Sequence, residues 1–223
     1  MQRGPVCALV SGGIDSAVLV WRELEAGAEV QPVYIRAGMV WEDVEQRWLE
    51  RYLKAIESPG LGALKLLSLP LGDVYGSHWS VVAEGAPAYE APDEAVYLPG
   101  RNVVLLSKAA IYCALNRIPR IALGVLAANP FPDATDEFFA TIERALSLGL
   151  DHAVTIERPL ATLHKVDVVR IGAHLPLELT FSCIRPDGEL HCGDCNKCRE
   201  RQEGFIEAGV VDRTRYVRER GEA

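Results

Sequence analysis

No segment of the 223-residue sequence approaches the roughly 20 consecutive apolar residues that a membrane span needs. After Met1-Gln2-Arg3-Gly4-Pro5 comes an apolar run of strand length only, so no membrane partner is expected and a cytoplasmic location is. Basic residues are in deficit too: 23 Lys and Arg against 31 Asp and Glu give a formal charge of −8. A broad phosphate-binding surface depends on clustered Lys and Arg, so no nucleic-acid partner is expected, while a small anion in a local site is compatible with that charge. No glutaminase domain is recognisable. What remains, 49% apolar and 24% charged residues, excludes disorder and suits one α/β domain with a small appendage.

The pattern along the chain alternates between strand-like and helix-like segments. Pro5 to Val10 is a continuous apolar run that stops at Ser11-Gly12-Gly13, as a strand buried on both faces should. Asp15 or Ser16 is placed to cap the next helix, whose apolar face is Ala17, Val18, Val20, Trp21 and Leu24, ending at Gly27. Strands at 30–35, 63–69, 120–125 and 152–156 alternate with helices at 41–56, 102–116, 136–148 and 165–173. The expected fold is therefore a Rossmann-like parallel sheet of about five strands with helices on both faces. Residues 70–99 lack clear periodicity and read as a long functional loop or flap, in which Trp79 is a candidate to stack on a base. Phe181 to Arg201 is too polar and too rich in cysteine to read as core, and leads into a short helix at 200–208. The expected division is an α/β domain over 1–180 and a cysteine-rich segment over 181–223.

Ser11-Gly12-Gly13-Ile14-Asp15-Ser16 lies where the first strand meets the first helix. Backbone amides and the positive helix end converge at such a point and favour an anion. The two glycines let a phosphate approach the backbone, the Ser11 and Ser16 hydroxyls add donors, and Asp15 can hold a metal ion or water. No Gly-Lys-Ser/Thr follows, which excludes a Walker-type loop, and the spacing does not match Gly-x-Gly-x-x-Gly. The plain alternative is a tight turn before a capped helix.

Of six cysteines, Cys183, Cys192, Cys195 and Cys198 fall within sixteen residues, whereas Cys7 and Cys113 stand alone in apolar surroundings as packing residues. Four thiolates satisfy tetrahedral zinc and leave no open position, as in a structural site. An iron–sulfur cluster, a redox Cys-x-x-Cys pair, and His191 in place of one sulfur are the rivals.

The six-residue glycine string resembles the pyrophosphate loop of the ATP pyrophosphatase superfamily, in which the loop grips the β,γ-pyrophosphate of ATP while AMP is transferred. Combined with the cysteine cluster, the chain resembles the 7-cyano-7-deazaguanine synthase family over nearly its whole length. The resemblance is carried by Leu98-Pro99-Gly100-Arg101-Asn102, Gly124-Val125, Thr180-Phe181-Ser182-Cys183, His191 to Arg201 and Asp212 to Tyr216. It is broken at 126–135, where Pro132 and Asp133 are retained but Ala134 and Thr135 stand in place of a cysteine and an arginine.

The resemblance implies that Ser11, Gly12, Gly13, Asp15 and Ser16 bind ATP, with Mg2+, and that the substrates are a deazapurine carboxylate and ammonia. The carboxylate would be adenylated, converted to the amide, and adenylated again to leave the nitrile; a homodimer is also implied. Lys165 and Arg101 are candidates to neutralise phosphate or carboxylate, although Lys165 could be a solvated charge and Asn102 a simple cap. For Asp133, substrate contact, metal binding and a plain Pro-Asp turn stand side by side. His164 and His174 read as surface or satisfied core histidines. Because the altered loop leaves the carboxyl end of a strand, where α/β sheets place ligand contacts, a different carboxylate is one alternative. A tRNA-modifying enzyme with the same pyrophosphate loop and a non-catalytic nucleotide-binding regulator are the others.

Overall fold

β1 (Val6–Leu9) lies at the centre of a parallel sheet, between β2 (Val30–Arg36) and β4 (Arg120–Leu123). With β3 (Lys65–Ser68) and β5 (Thr155–Glu157) the order is β3-β2-β1-β4-β5 among the described residues. The computed structural model describes residues 3–127 and 129–218; Ala128 of the divergent loop and residues 219–223 of the C-terminal segment lie outside them. No helix among the described residues is long and apolar enough to cross a membrane.

Alternation along β1 explains why the sheet is covered on both sides. Val6, Ala8 and Val10 face one core, shared with α1 (Ile14–Glu25), α2 (Glu42–Ala55), α7 (Lys165–Ile171) and α8 (Asn196–Ala208), through residues such as Val18, Leu49, Val168 and Phe205. Cys7 enters the opposite core, with Leu106, Ala110 and Cys113 of α5 (Arg101–Asn116) and Phe139 of α6 (Asp136–Leu150). Cys7 and Cys113 are both fully buried and act as packing residues. Strand order reverses at β1, whose neighbours leave in opposite directions, and this opens a crevice at the carboxyl ends of β1 and β4.

Two expectations are corrected by a third core. Residues 70–99 are not an open flap: they include the one-turn helices α3 (Gly72–Tyr75) and α4 (Trp79–Val82) and a 3₁₀ turn at Asp93–Val96. Trp79 is stacked on Trp41 at 5.7 Å, so its ring is committed to packing. The cysteine-rich segment is buried as well. Cys183, Cys192, Cys195 and Cys198 pack with Trp41, Val96, Leu98 and Phe181. Periodicity missed this core because it is assembled from short turns, each contributing one or two apolar residues. Ala88 bridges to Cys195, and the Asn196 amide donates to Pro87 O at 3.2 Å, so the two segments are stitched by backbone.

The amino ends of the strands are held by charge. Arg120 donates to both oxygens of Glu157 at 2.7 Å and to Glu23 Oε2 at 2.7 Å, with Arg3 on the other Glu23 oxygen at 3.0 Å. Glu23 is 1% exposed. Its carboxylate is tolerable in the interior only because two guanidinium groups and their hydrogen bonds satisfy it. The bonded Arg120 guanidinium holds the Glu157 carboxyl below its ordinary range. Its contribution to stability is therefore complete above the pH at which an unfolded glutamate titrates, and is lost as acid protonates it. Replacing Arg120 with Met leaves the two carboxylates of Glu23 and Glu157 to Arg3 alone; urea denaturation at neutral pH is expected to show a loss of about 3 kcal/mol, shrinking toward acid pH.

Candidate active site

The glycine turn leads from β1 into α1 at the bottom of the crevice. Gly12 has φ +77°, a conformation that favours glycine, and a Cβ there would lie 3.0 Å from Glu45 Cγ. The cap position of α1 is Gly13, and neither Asp15 nor Ser16 caps it, contrary to the sequence expectation. Ser16 Oγ instead donates to Gly13 O at 3.0 Å and accepts from Ser11 N at 3.3 Å, which folds the turn on itself. With no side-chain cap, the first-turn amides of α1 lack an intrahelical acceptor and remain available to an anion. Gly124, at the end of β4, packs so closely on this turn that a Cβ would sit 3.1 Å from the Asp15 backbone.

Asp15 is committed to Lys165. The Lys165 ammonium donates to both Asp15 oxygens at 2.7 Å and lies 2.9 Å from Glu200 Oε1 of α8. It is thus an ion-paired group at the start of α7, not a solvated charge. Burial alone would lower its pKa, but the two carboxylates outweigh burial and hold it well above the ordinary lysine value. Glu200, half-buried, is held well below the ordinary glutamate range by Lys165 and Lys197. Gly204 makes room for this arrangement, since a Cβ there would meet Lys165 Cγ at 2.7 Å.

Two joined cavities of about 230 and 240 Å³ open around the turn and share Ser11, Gly13, Asp15, Glu45 and Arg101. The first runs over the carboxyl ends of the strands, between Tyr34, Leu105, Leu123 and Gly124. The second reaches toward the cysteine segment, between Lys165, Ser182, Lys197 and Arg201. The Arg101 side chain lines both cavities from the first turn of α5. Asp133 is 6% exposed and faces the first cavity, but its carboxylate accepts from Asn102 N at 2.9 Å while Asn102 Nδ2 donates to Asp133 O at 2.8 Å. The helix is capped from outside by Asp133, and the cap position itself is Gly100.

The four cysteine sulfurs lie within 4.8 Å of one another, with Cys183–Cys195 at 3.9 Å and Cys192–Cys198 at 3.8 Å. A tetrahedron with metal–sulfur bonds of about 2.3 Å has edges of about 3.8 Å, so the donor set fits zinc. Amides of Arg185, Cys192 and Asp194 donate to the Cys183 and Cys192 sulfurs at 3.3–3.4 Å, which suits thiolates bound to a cation. His191 does not replace a sulfur. Its Nε2 accepts from Ser182 N at 3.1 Å, and the ring lies between Phe181 and Tyr216. His164 instead starts α7, its backbone amide held by Asp167 at 3.0 Å, and His174 lies edge-on to Trp21.

Cysteine cluster and glycine turn are physically joined. Phe181 N donates to Gly12 O at 2.7 Å, two residues before Cys183. Arg201, 1% exposed, donates to Thr180 Oγ1 at 2.8 Å, Ser182 Oγ at 3.2 Å, Leu177 O at 2.7 Å and Thr214 Oγ1 at 2.8 Å.

A family model described as queuosine biosynthesis protein QueC matches residues 6–209. The chain belongs to the QueC family. Among curated relatives, a 7-cyano-7-deazaguanine synthase from Methanothrix thermoacetophila is 32% identical, over 96% of this chain and 99% of the relative. A 7-cyano-7-deazaguanine synthase from Pseudomonas syringae pv. syringae is 34% identical, over 93% of this chain and 94% of the relative. A solved structure of a predicted subunit of tRNA methyltransferase from Methanocaldococcus jannaschii aligns with a TM-score of 0.51 at 14% identity, over 77% of this chain and 75% of that one. That likeness speaks for the fold alone.

Several cleft residues escaped the sequence reading. Lys197, Glu200 and Arg201 lie in the stretch that carries the resemblance, but nothing in their spacing gives them a place in the cleft. Glu45 had a usable signal: it occupies the stripe Trp41, Glu45, Leu49 and Tyr52, where every other member is apolar. Cys195→Ser is expected to lower bound metal well below one equivalent in elemental analysis. It is also expected to destabilise the protein by about 4 kcal/mol or more. Unchanged metal content and stability would contradict a structural role.

Proposed function

We propose that this chain makes 7-cyano-7-deazaguanine from 7-carboxy-7-deazaguanine, ammonia and two ATP, releasing AMP and pyrophosphate twice. Membership of the QueC family makes it an ATP-dependent ligase. The observation that carries the specific chemistry is the uncapped start of α1, at the junction of two cavities and beside the Lys165 ammonium.

A carboxylate oxygen is a poor leaving group. Transfer of AMP makes a mixed anhydride that ammonia attacks, and a second transfer to the amide oxygen allows its loss as AMP, leaving the nitrile. In this reading Ser11, Gly12, Gly13 and Ser16 hold the pyrophosphate by amides and hydroxyls preorganised by the turn. Asp15 keeps Lys165 at the rim of the second cavity, where its charge meets the phosphates. Arg101 approaches the same point from the other side. Asp133 acts by fixing the start of α5, and so the place of Arg101, through Asn102. The apolar walls at Leu105 and Leu123 suit a purine and exclude water from the adenylate. Mg2+ would neutralise the phosphates of bound ATP. Zinc on Cys183, Cys192, Cys195 and Cys198 would be structural, fastening α8 and Glu200 behind Lys165.

In this account residues 1–180 carry the adenylation machinery and 181–223 the zinc segment, the working assembly is a homodimer, nitrogen enters as ammonia, and the thiolate cluster suits a reducing cytoplasm. The altered loop at 126–135 supports one second reading, a related enzyme of the same chemistry acting on a different carboxylate.

The test is to incubate the pure protein with ATP, Mg2+, ammonium and 7-carboxy-7-deazaguanine. Nitrile, AMP and pyrophosphate are expected, and Asp15→Ala is expected to lower AMP release by about 100-fold or more with the fold retained by circular dichroism. ATP binding without turnover of this acid would contradict the proposal.

A further inference from the structure

Glu45 is a buried ionisable group of the cleft that the account above leaves without a task. It lies 7% exposed on α2, lines both cavities where they join, and packs its Cγ against Gly12 of the pyrophosphate-binding turn. The Tyr34 hydroxyl donates to Oε2 at 2.6 Å. No hydrogen bond occupies Oε1 among the described residues, and the side chain borders the cleft rather than a sealed core. A carboxylate placed like this gains nothing for the fold, because an apolar side chain would complete the Trp41, Leu49 and Tyr52 stripe better.

We infer that Glu45 is the proton acceptor of the nitrogen-transfer step: its free oxygen receives an ammonium ion at the junction of the cavities and removes the proton that blocks attack. The inference rests on the adenylation reading proposed above. Ammonium is the dominant form near neutral pH and has no lone pair with which to attack. One N–H bond breaks and its proton forms an O–H bond on Glu45. The freed lone pair then makes the C–N bond to the acyl carbon as the C–O bond to AMP breaks, and the second proton shed by nitrogen leaves with AMP. Glu45 then gives its proton to water in the cleft, which returns it to the carboxylate.

Glu45 is suited to this. Burial pushes its carboxyl up to about 8, opposed by the Tyr34 hydrogen bond and by Arg101 of α5 and reinforced by Glu42 on its own helix. Asp15 of α1 lines the same junction, and Lys165 of α7 and Glu200 of α8 line the second cavity beyond it. A base near that value holds an ammonium proton far better than an ordinary glutamate does. Arg101, Glu42 and Tyr34 thereby become the groups that set its strength.

Hydroxylamine separates this role from structural ones, since it is largely unprotonated at neutral pH and attacks adenylates without a base. With ATP, Mg2+ and 7-carboxy-7-deazaguanine at about pH 8.5, where the Glu45 carboxylate is charged and ammonium still carries its proton, Glu45→Gln is expected to lower amide formation from ammonium chloride at least 100-fold more than hydroxamate formation from hydroxylamine. An equal fall with both nucleophiles, or no fall with either, overturns the inference. Should Glu45→Gln not fold, Tyr34→Phe provides the reading. Loss of the phenol donor destabilises the charged carboxylate. The rise of the ammonium-to-hydroxylamine rate ratio with pH should therefore move to higher pH, and an unmoved profile overturns the inference. A wild-type protein that forms no hydroxamate at all fails the adenylation reading itself, and this inference with it.

Discussion

One ammonium group ties together three parts of the chain that are far apart in sequence. Lys165 begins α7, pairs with Asp15 in the first turn of α1, and is backed by Glu200 in the second turn of α8. Each charge is partly buried, and none would be stable there alone. Because the three compensate one another, they fix how the glycine turn, the late helix pair and the cysteine segment sit together. Two glycines enforce it: Gly204 admits the Lys165 stem, and Gly124 admits the Asp15 backbone, each too closely for a Cβ.

The cysteine cluster belongs to the same constraint. Its ligands come from two arms, Cys183 on one and Cys192, Cys195 and Cys198 on the other, with Cys198 already in the first turn of α8. Closing that cluster therefore sets where α8 starts and how Glu200 and Arg201 are aimed. On the first arm, Phe181 is bonded to Gly12 two residues ahead of Cys183, so the cluster also bears on the glycine turn. The ion pairs and the cysteine cluster act here on the same few residues. A metal bound by these cysteines would thus govern how the charged groups of the cleft are placed without touching them.

Much of this was legible in the sequence, for identifiable reasons. Strands buried on both faces announce themselves as runs such as Val6-Cys7-Ala8-Leu9, and the glycine string and cysteine spacing are local patterns with a mechanism attached. What escaped is non-local. The fold of 70–99 depends on Val96 and Leu98 meeting the cysteines, and no window of sequence contains both. The true cap of α5 is Asp133, thirty-one residues away from Asn102, so local capping rules look to the wrong residue. α8 begins at Asn196 rather than at Glu200 because Cys195 and Cys198 start the turn, a constraint that propensity does not express. Glu45 reads as a helix-surface charge unless its place in an apolar stripe is weighed.

The central claim is that the turn at 11–16 and Lys165 direct adenylyl, rather than phosphoryl, transfer to a carboxylate oxygen. The most direct measurement supplies the acid labelled with oxygen-18 in its carboxyl group and follows the label by mass spectrometry. Adenylation requires one labelled oxygen to appear in the phosphate of AMP for each amide formed. Label in orthophosphate accompanied by ADP would contradict the account.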